Sequence, residues 1–384
     1  MMRRWIVWGA ALLTLTACGP TPFRVVDAVP EGGQQLAFLQ MAEPRYGDLY
    51  VLDEDSGEAT RITAGNQIGR VRWSPAGDQL ALVVRIGPAG RSEKTQLVIL
   101  DATTGETVSA TDDISSDGGN IGPATWSGSQ LAFAFNTGGA ENVYLYDDGS
   151  TTALTDFPDT IRQIRTLSWT ADGKALLFDA SAETGQPPAM YRLDIASGEM
   201  QDLGQGYNPV PSPDGTQIAF TAEIRPGARV IHVADADGSN ARPLFDQDGG
   251  FFWPAWSPDG TLIAYVEEIV DQWGGIVEQD LYLTDLEKSW QVGKVDTEEG
   301  VFPRWQPEGT LLYNYLESSC WLTPPYREPD CQVYGNYPLP DPAGGVVAYV
   351  KFSSEDKAYT DLCLDPGGCV FSGKENVFPV GWRP

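Results

Sequence analysis

One short phrase, Trp-Ser-Pro-Asp-Gly followed by a few apolar residues, recurs along the whole chain and constrains its fold more than any other feature. The fullest copy is Trp256-Ser257-Pro258-Asp259-Gly260, followed by Leu262-Ile263-Ala264-Tyr265. Looser copies start at Trp73, Trp126, Trp169, Pro211, Trp305 and Pro340, and a last partial copy stands at Trp382. Their spacing averages about 44 residues, a period that belongs to propellers and solenoids. A chain of 384 residues would otherwise suggest two or three unrelated domains. A repeat array is instead one structure built from many small units.

Residues 217–256 show one unit. Gln217-Ile218-Ala219-Phe220 reads as an apolar strand and Arg229-Val230-Ile231-His232-Val233 as a second. The turn Asp235-Ala236-Asp237-Gly238-Ser239-Asn240 leads to a third around Arg242-Pro243-Leu244, and a fourth, Phe252-Trp253-Pro254-Ala255-Trp256, ends on the next Pro-Asp-Gly turn. Four short strands per period, joined by turn residues, make one propeller blade. The many glycines (42) and prolines (28) fit a fold with this many tight turns.

The run Ser212-Pro213-Asp214-Gly215 through Ile218-Ala219-Phe220, then Val230-Ile231-His232-Val233-Ala234-Asp235-Ala236-Asp237-Gly238-Ser239-Asn240, resembles the repeat of TolB-type β-propellers. The same repeat occurs in the propeller domains of prolyl oligopeptidase-type enzymes. The resemblance covers residues 33–384, with departures: Trp126-Ser127-Gly128 lacks Pro-Asp, Pro211 replaces tryptophan, and 306–345 keep only scraps. The expected fold is all-β, a single propeller of four-stranded blades. The first apolar strand, Gln35-Leu36-Ala37-Phe38, has no Trp-type strand before it, while Val377-Phe378-Pro379-Val380-Gly381-Trp382 is spare at the other end. Joining the two closes the ring without an open edge and gives eight blades. Seven is the alternative, if residues 306–340 fail to make a whole blade.

The N-terminus reads as a targeting segment. Met1-Met2-Arg3-Arg4 is basic, and Trp5 to Thr16 is an apolar stretch too short for a typical membrane span. Leu15-Thr16-Ala17-Cys18 resembles the bacterial lipobox, which implies a signal peptide over 1–17, a lipidated Cys18 and a tether over 18–32. Two acyl chains give stable anchoring, in the cell membrane or the outer membrane, with the body outside the cytoplasm. Loss of residues 1–17 removes Arg3 and Arg4 and no acid, so the formal charge of −28 becomes −30. A body this acidic is repelled by nucleic acid and by anionic lipid. Its bland explanation is solubility, its sharper one attraction for cations or basic peptides. Four further cysteines, Cys320, Cys331, Cys363 and Cys369, favour disulfides in an exported chain. They admit three pairings. The local ones, Cys320–Cys331 and Cys363–Cys369, are preferred, the latter across the turn Asp365-Pro366-Gly367-Gly368.

Catalytic and metal signatures fail one by one. His232 is the only histidine, it falls where other units carry Tyr50, Tyr144, Tyr191 and Tyr282, and multi-histidine zinc sites need more. No Gly-x-Ser-x-Gly elbow is present. The near-match to a phosphate loop at 368–375 ends in Glu375 where Ser or Thr must reach Mg²⁺. Asp235, Asp237 and Asn240 lack the downstream bidentate glutamate of a calcium loop and read as a hairpin turn. Neither metal nor cofactor is expected. The repeated tryptophans read as packing between blades, which leaves the off-register Trp253, Trp273, Trp290 and Trp321 for exposed contacts.

One pattern carries a binding hypothesis. Arg70, Arg72, Arg162, Arg165 and Arg304 stand at or just before innermost strands, with Tyr207, Phe251, Phe252, Trp253 and Tyr337 in comparable positions. Such a ring at one channel mouth would receive an anionic or peptide ligand; its rival explanation is local pairing with carboxylates. The resemblance implies a monomeric, non-enzymatic scaffold for an envelope protein or peptide. The alternative is a propeller lyase or glycan hydrolase using carboxylates in the central pocket. A Cys18→Ala chain is expected to leave the membrane fraction, and persistence there in fractionation overturns the anchor.

Overall fold

The repeated phrase is a strand that ends in a sealed turn. Ser257 Oγ donates to Asp259 Oδ1 (2.7 Å) and accepts from the Leu262 amide (2.9 Å), while the Gly260 amide donates to the Ser257 carbonyl (2.9 Å). Gly260 has φ of +71°, where a side chain is strained, so the motif keeps glycine there. Ser74, Thr170 and Ser212 repeat the hydroxyl bond to Asp78, Asp172 and Asp214. The serine hydroxyl holds Asp259 below the usual carboxylate range.

The computed structural model describes residues 23–384 apart from 88–92, 159–160, 162, 183–186, 246–248, 274, 296–302, 316–317, 333–335, 343–345, 353–358 and 373–374. Cys18, the leader over 1–17 and Arg162 therefore lie outside the described residues, among which there is no helix. Eight four-stranded antiparallel blades follow in chain order. Blade 2 runs Ile68–Trp73, Gln79–Ile86, Lys94–Asp101 and Thr107–Ser109; blade 3 runs Asn120–Ser127, Gln130–Asn136, Glu141–Asp147 and Ser150–Ala153. Blade 4 runs Gln163–Trp169, Ala175–Ser181, Ala189–Asp194 and Met200–Gln205; blade 5 runs Tyr207–Pro211, Gln217–Arg225, Ala228–Asp235 and Arg242–Pro243. Blade 6 runs Phe251–Trp256, Ile263–Val270, Ile276–Thr284 and Ser289–Lys294; blade 7 runs Arg304–Trp305, Leu311–Tyr315, Ser318–Leu322 and Asp330–Gln332. Blade 8 runs Asn336–Pro340, Val347–Phe352, Thr360–Asp365 and Gly368–Phe371. Blade 1 combines the two chain ends: Asn376–Trp382 pairs with Gln35–Glu43, from Leu36 opposite Trp382 to Met41 opposite Asn376, and Tyr46–Asp53 and Ala59–Arg61 follow. Leu36 and Phe38 then pack with Ala348, Val350 and Leu362 of blade 8, joining the last blade to the first.

The register between blades is set by an indole and its seat. The Trp169 Nε1 donates to the Thr125 carbonyl of the preceding blade (3.0 Å), and Trp305 Nε1 does so to Ala255 (3.0 Å). Trp73 bonds Gly381, Trp256 bonds Val210 and Trp382 bonds Leu339 in the same way. Each acceptor is the residue just before the repeat position of its own blade. Across the sheet that same residue pairs with an alanine: Gly381 with Ala37, Arg72 with Ala81, Thr125 with Ala132, Val210 with Ala219, Ala255 with Ala264 and Leu339 with Ala348. Those alanines lie in the clusters against which Trp73, Trp126, Trp169, Trp256, Trp305 and Trp382 pack. In the two seams where the next blade carries proline, Pro211 or Pro340, the residue is instead Leu177, opposite Ser168, or Leu312, opposite Arg304. Alanine makes room for the incoming ring; leucine takes up part of the room where no ring comes. Even so, a cleft of about 380 Å³ remains at the blade 4–5 seam, lined in part by Leu177, Arg192 and Pro211. The tryptophans, expected as apolar packing alone, are thus directional links as well.

Within blades a second device recurs. Phe38 stacks on Tyr50, Phe133 on Tyr144, Tyr265 on Tyr282, and Phe220 on His232 (5.5 Å), so the lone histidine occupies a structural position. Burial lowers its pKa, and Nδ1 lies 3.1 Å from the Val230 carbonyl. The disulfides join Cys320 to Cys331 and Cys363 to Cys369, both between the third and outermost strands. Each closes a short loop, worth about 2–3 kcal/mol. The segment expected as a tether is docked where described: Arg24–Val25 pairs with Thr63–Ala64, and Val29 is buried against blades 1 and 2.

The Trp126 Nε1 is buried without a partner, unlike the other repeat indoles. Trp305→Phe, which orphans a carbonyl, is therefore expected to cost about 1–3 kcal/mol in urea unfolding. Trp126→Phe should cost clearly less, and equal losses would reject the indole link.

Candidate functional site

The inner strands start at one end of the channel and finish at the repeat turns at the other. Along Arg70-Val71-Arg72 the middle residue is buried and both arginines are exposed, so they project from the inner strand into the channel. Crowding by the wall lowers the guanidinium pKa of Arg70, Arg72 and Arg304 by desolvation, although all three side chains reach solvent. Arg70 Nη2 donates to the Ile121 carbonyl of the next blade, and Arg304 Nη2 to the Pro338 carbonyl (2.7 Å). Among the described residues neither pairs with a carboxylate, so the rival explanation of local ion pairing does not describe them. Arg72 and Arg304 stand one residue before the repeat position, nearer the turn end than Arg70. The arginines and aromatic residues expected at the mouth thus form no single ring.

At the entrance two groups stand apart. Over blades 8, 1, 2 and 3 lies an open cleft of about 710 Å³, whose walls include Arg45, Tyr46, Arg70, Tyr337 and Phe378. Tyr337 meets Phe378 edge to face at 5.4 Å, and Tyr337 has φ of +59°, a left-handed turn just before Pro338. Among the described residues none lining this cleft is acidic, although the Tyr46 hydroxyl donates to Glu93 (3.2 Å). Behind it Arg85 is buried against the Tyr46 ring (4.4 Å) and pairs with Glu43 (2.6 Å), which holds the Glu43 carboxyl below its ordinary range. The second group is a cation–π ladder over blades 4, 5 and 6. Arg165 lies 5.9 Å from the Tyr207 ring, and Arg229 lies 4.7 Å from Tyr207 and 5.2 Å from Phe252. Phe252 leans on Trp253 at 5.3 Å, and Trp253 in turn packs into the blade 6–7 core. Phe251 is buried, in contact with Tyr265, and leaves the entrance.

Arg45 and Arg229 were missed by the sequence reading because they sit on the second hairpin and third strand, not on inner strands. Of the off-register tryptophans, Trp290 packs against the blade 6–7 core, whereas Trp273 is 84% exposed. Buried carboxylates serve the frame. Glu141 accepts the Ile164 amide, Asp179 accepts the Thr166 hydroxyl, and desolvation raises both pKa values. Among the described residues no group of three or more His, Cys, Asp or Glu is placed to hold a metal ion.

This blade pattern and ring are those of a β-propeller, with a repeat that resembles the TolB type. A Tol-Pal system protein TolB from Alcanivorax borkumensis is 30% identical over 146 residues, 35% of this chain and 32% of that protein. The chain spans a third to a half of the length of the curated relatives it matches. Among solved structures, a prolyl endopeptidase superposes with TM-score 0.56 at 11% identity over 88% of this chain and 54% of its own. Oligogalacturonate lyase from Vibrio parahaemolyticus does so with TM-score 0.52 at 14% identity over 86% of this chain and 97% of its own. At such identities the likeness concerns the fold alone. No protein-family model matches the chain.

A double-mutant cycle between Tyr207→Ala and Arg229→Met is expected to give a coupling of about 0.5–1 kcal/mol in thermal or urea unfolding. Strict additivity would dissolve the ladder into two unrelated side chains.

Proposed function

We propose that the protein is a non-enzymatic scaffold of the bacterial envelope, held by a lipid on Cys18, that receives a segment of another envelope protein at the propeller entrance. The observation that carries this reading is the 710 Å³ cleft, which gathers Arg45, Arg70, Tyr46, Tyr337 and Phe378 and no carboxylate in a chain of net charge −28. Concentrating cations and rings at one opening of an otherwise acidic body favours a peptide with acidic and apolar side chains. The names of the relatives, components of Tol-Pal systems, support a protein partner in the envelope. The protein acts as a monomer in this reading. Hydrolysis or lyase chemistry would need carboxylates facing the cleft, whereas Glu141 and Asp179 are spent on inner-strand amide and hydroxyl groups.

Arginine at the cleft supplies long-range attraction and bidentate bonding to carboxylates, while the edge-to-face aromatic pair supplies apolar contact surface. The exposed inner-strand arginines Arg72 and Arg304 would add attraction for any carboxylate that enters the channel. The test is site-specific photo-cross-linking in intact cells. A benzophenone side chain in place of Phe378 is expected to give a protein adduct that Arg45→Glu reduces severalfold. The same group at Glu287, in a turn at the other end, should give none. Equal adducts from both ends, or indifference to Arg45→Glu, overturns the entrance reading.

A further inference from the structure

We propose that the second hairpin of blade 6 is a docking finger that inserts Trp273 into an apolar pocket with a basic rim on a partner protein. Trp273 is 84% exposed, and around it Val270, Ile276 and Val277 are 55%, 54% and 63% exposed, with Ile269 at 37%. These five residues are half of the strongly exposed large apolar side chains among the described residues, and all sit on one hairpin. Single exposed apolar residues are ordinary; a cluster of this size at a tip marks a contact surface.

The finger is rigidly presented. Val270 pairs with Ile276 across the strands, and the Asp271 amide donates to the Gly275 carbonyl (2.8 Å). Asp271 Oδ1 accepts the amides of Trp273 (2.8 Å) and Gly275 (2.9 Å), closing the turn that holds the indole out. A turn backbone fixed in this way has less freedom to lose on binding, and tryptophan is enriched among the energetic anchors of protein interfaces. The finger carries Glu267, Glu268 and Glu278 along its strands and Asp271 at its turn; the cations near it are Lys294, paired with Glu278, and Arg229, beside Glu268. This acidic collar defines the rim of the pocket it fits, which must be basic. It also disfavours an anionic bilayer, because helices and loops that settle in that interface carry Lys and Arg on their polar face. The finger stands on blade 6, away from the cleft over blades 8, 1, 2 and 3, and does not depend on the entrance reading.

The experiment places a benzophenone side chain at Val277 of the full chain and illuminates intact cells. A discrete heterologous adduct is expected, reduced more than about tenfold by Trp273→Ala, weakened by Asp271→Lys/Glu278→Lys and unchanged by Arg45→Glu. The Trp273→Ala protein should keep the wild-type melting temperature, since the indole touches solvent. An adduct indifferent to Trp273→Ala, no adduct, or one with the mass of two copies of this chain overturns the proposal. So does flotation of the Cys18→Ala protein with phosphatidylcholine or phosphatidylcholine–phosphatidylglycerol vesicles that disappears on Trp273→Ala, which would assign the finger to a lipid surface.

Discussion

The ring rests on an indole seated over an alanine in the neighbouring blade. One backbone position serves both halves of that contact. The residue before the repeat tryptophan offers its carbonyl to the next blade's Nε1, and opposite it stands the alanine that gives the ring its space. The demand is doubly strict, because a bulkier seat would overpack the core and a lost carbonyl would leave a buried donor unpaired. Trp126 shows the second penalty in place, with its seat at Ala81 but no acceptor for its N–H. At this position the chain places Arg72, Thr125, Ser168, Val210, Ala255, Arg304, Leu339 and Gly381. Arg72 and Arg304 are exposed there, whereas Val210 and Leu339 pack against the clusters that seat Trp256 and Trp382.

The acidity of the chain has a local cause as well as a global effect. Asp53, Asp101, Asp194 and Asp285 each accept amides two or three residues ahead, fixing hairpins between third and fourth strands. The repeat turns use Asp172, Asp214 and Asp259 in the same spirit. Carboxylates are thus consumed at the turns, many of them at the end opposite the entrance. Two arginines of the inner strands, Arg70 and Arg304, bond to carbonyls instead. Turn chemistry thus fixes negative charge at the end away from the cleft, where it repels an acidic segment.

Much of this was legible in the sequence because the repeat repeats its physics. Eight blades, the closing strand at Trp382, the aromatic position of His232 and both disulfides follow from period, phase and turn residues. What escaped was set by the third dimension. Arg229 and Arg45 reach the entrance through hairpin length, which a one-dimensional alignment on inner strands does not weigh. The grouping of Arg165 with Tyr207 and of Arg70 with Tyr337 depends on which blades are neighbours around the ring. Arg72 and Arg304 fall below the mouth because strand position, not proximity to the motif, fixes depth. The alanine-or-leucine choice was present in every copy, but it acquires meaning only once each strand is known to face the next blade's tryptophan.

That choice divides the circle. Leu177 before Pro211 and Leu312 before Pro340 interrupt the chain of indoles, leaving blades 5 to 7 as one linked arc and blades 8 through 4 as another. Inside an arc each blade bears the imprint of its successor, so removing or duplicating one strands an indole without a seat or a seat without an indole. Only at the two proline seams do the faces carry no such imprint. The lineage of this ring was therefore free to exchange modules at two places, and a three-blade cassette is the unit that could have moved.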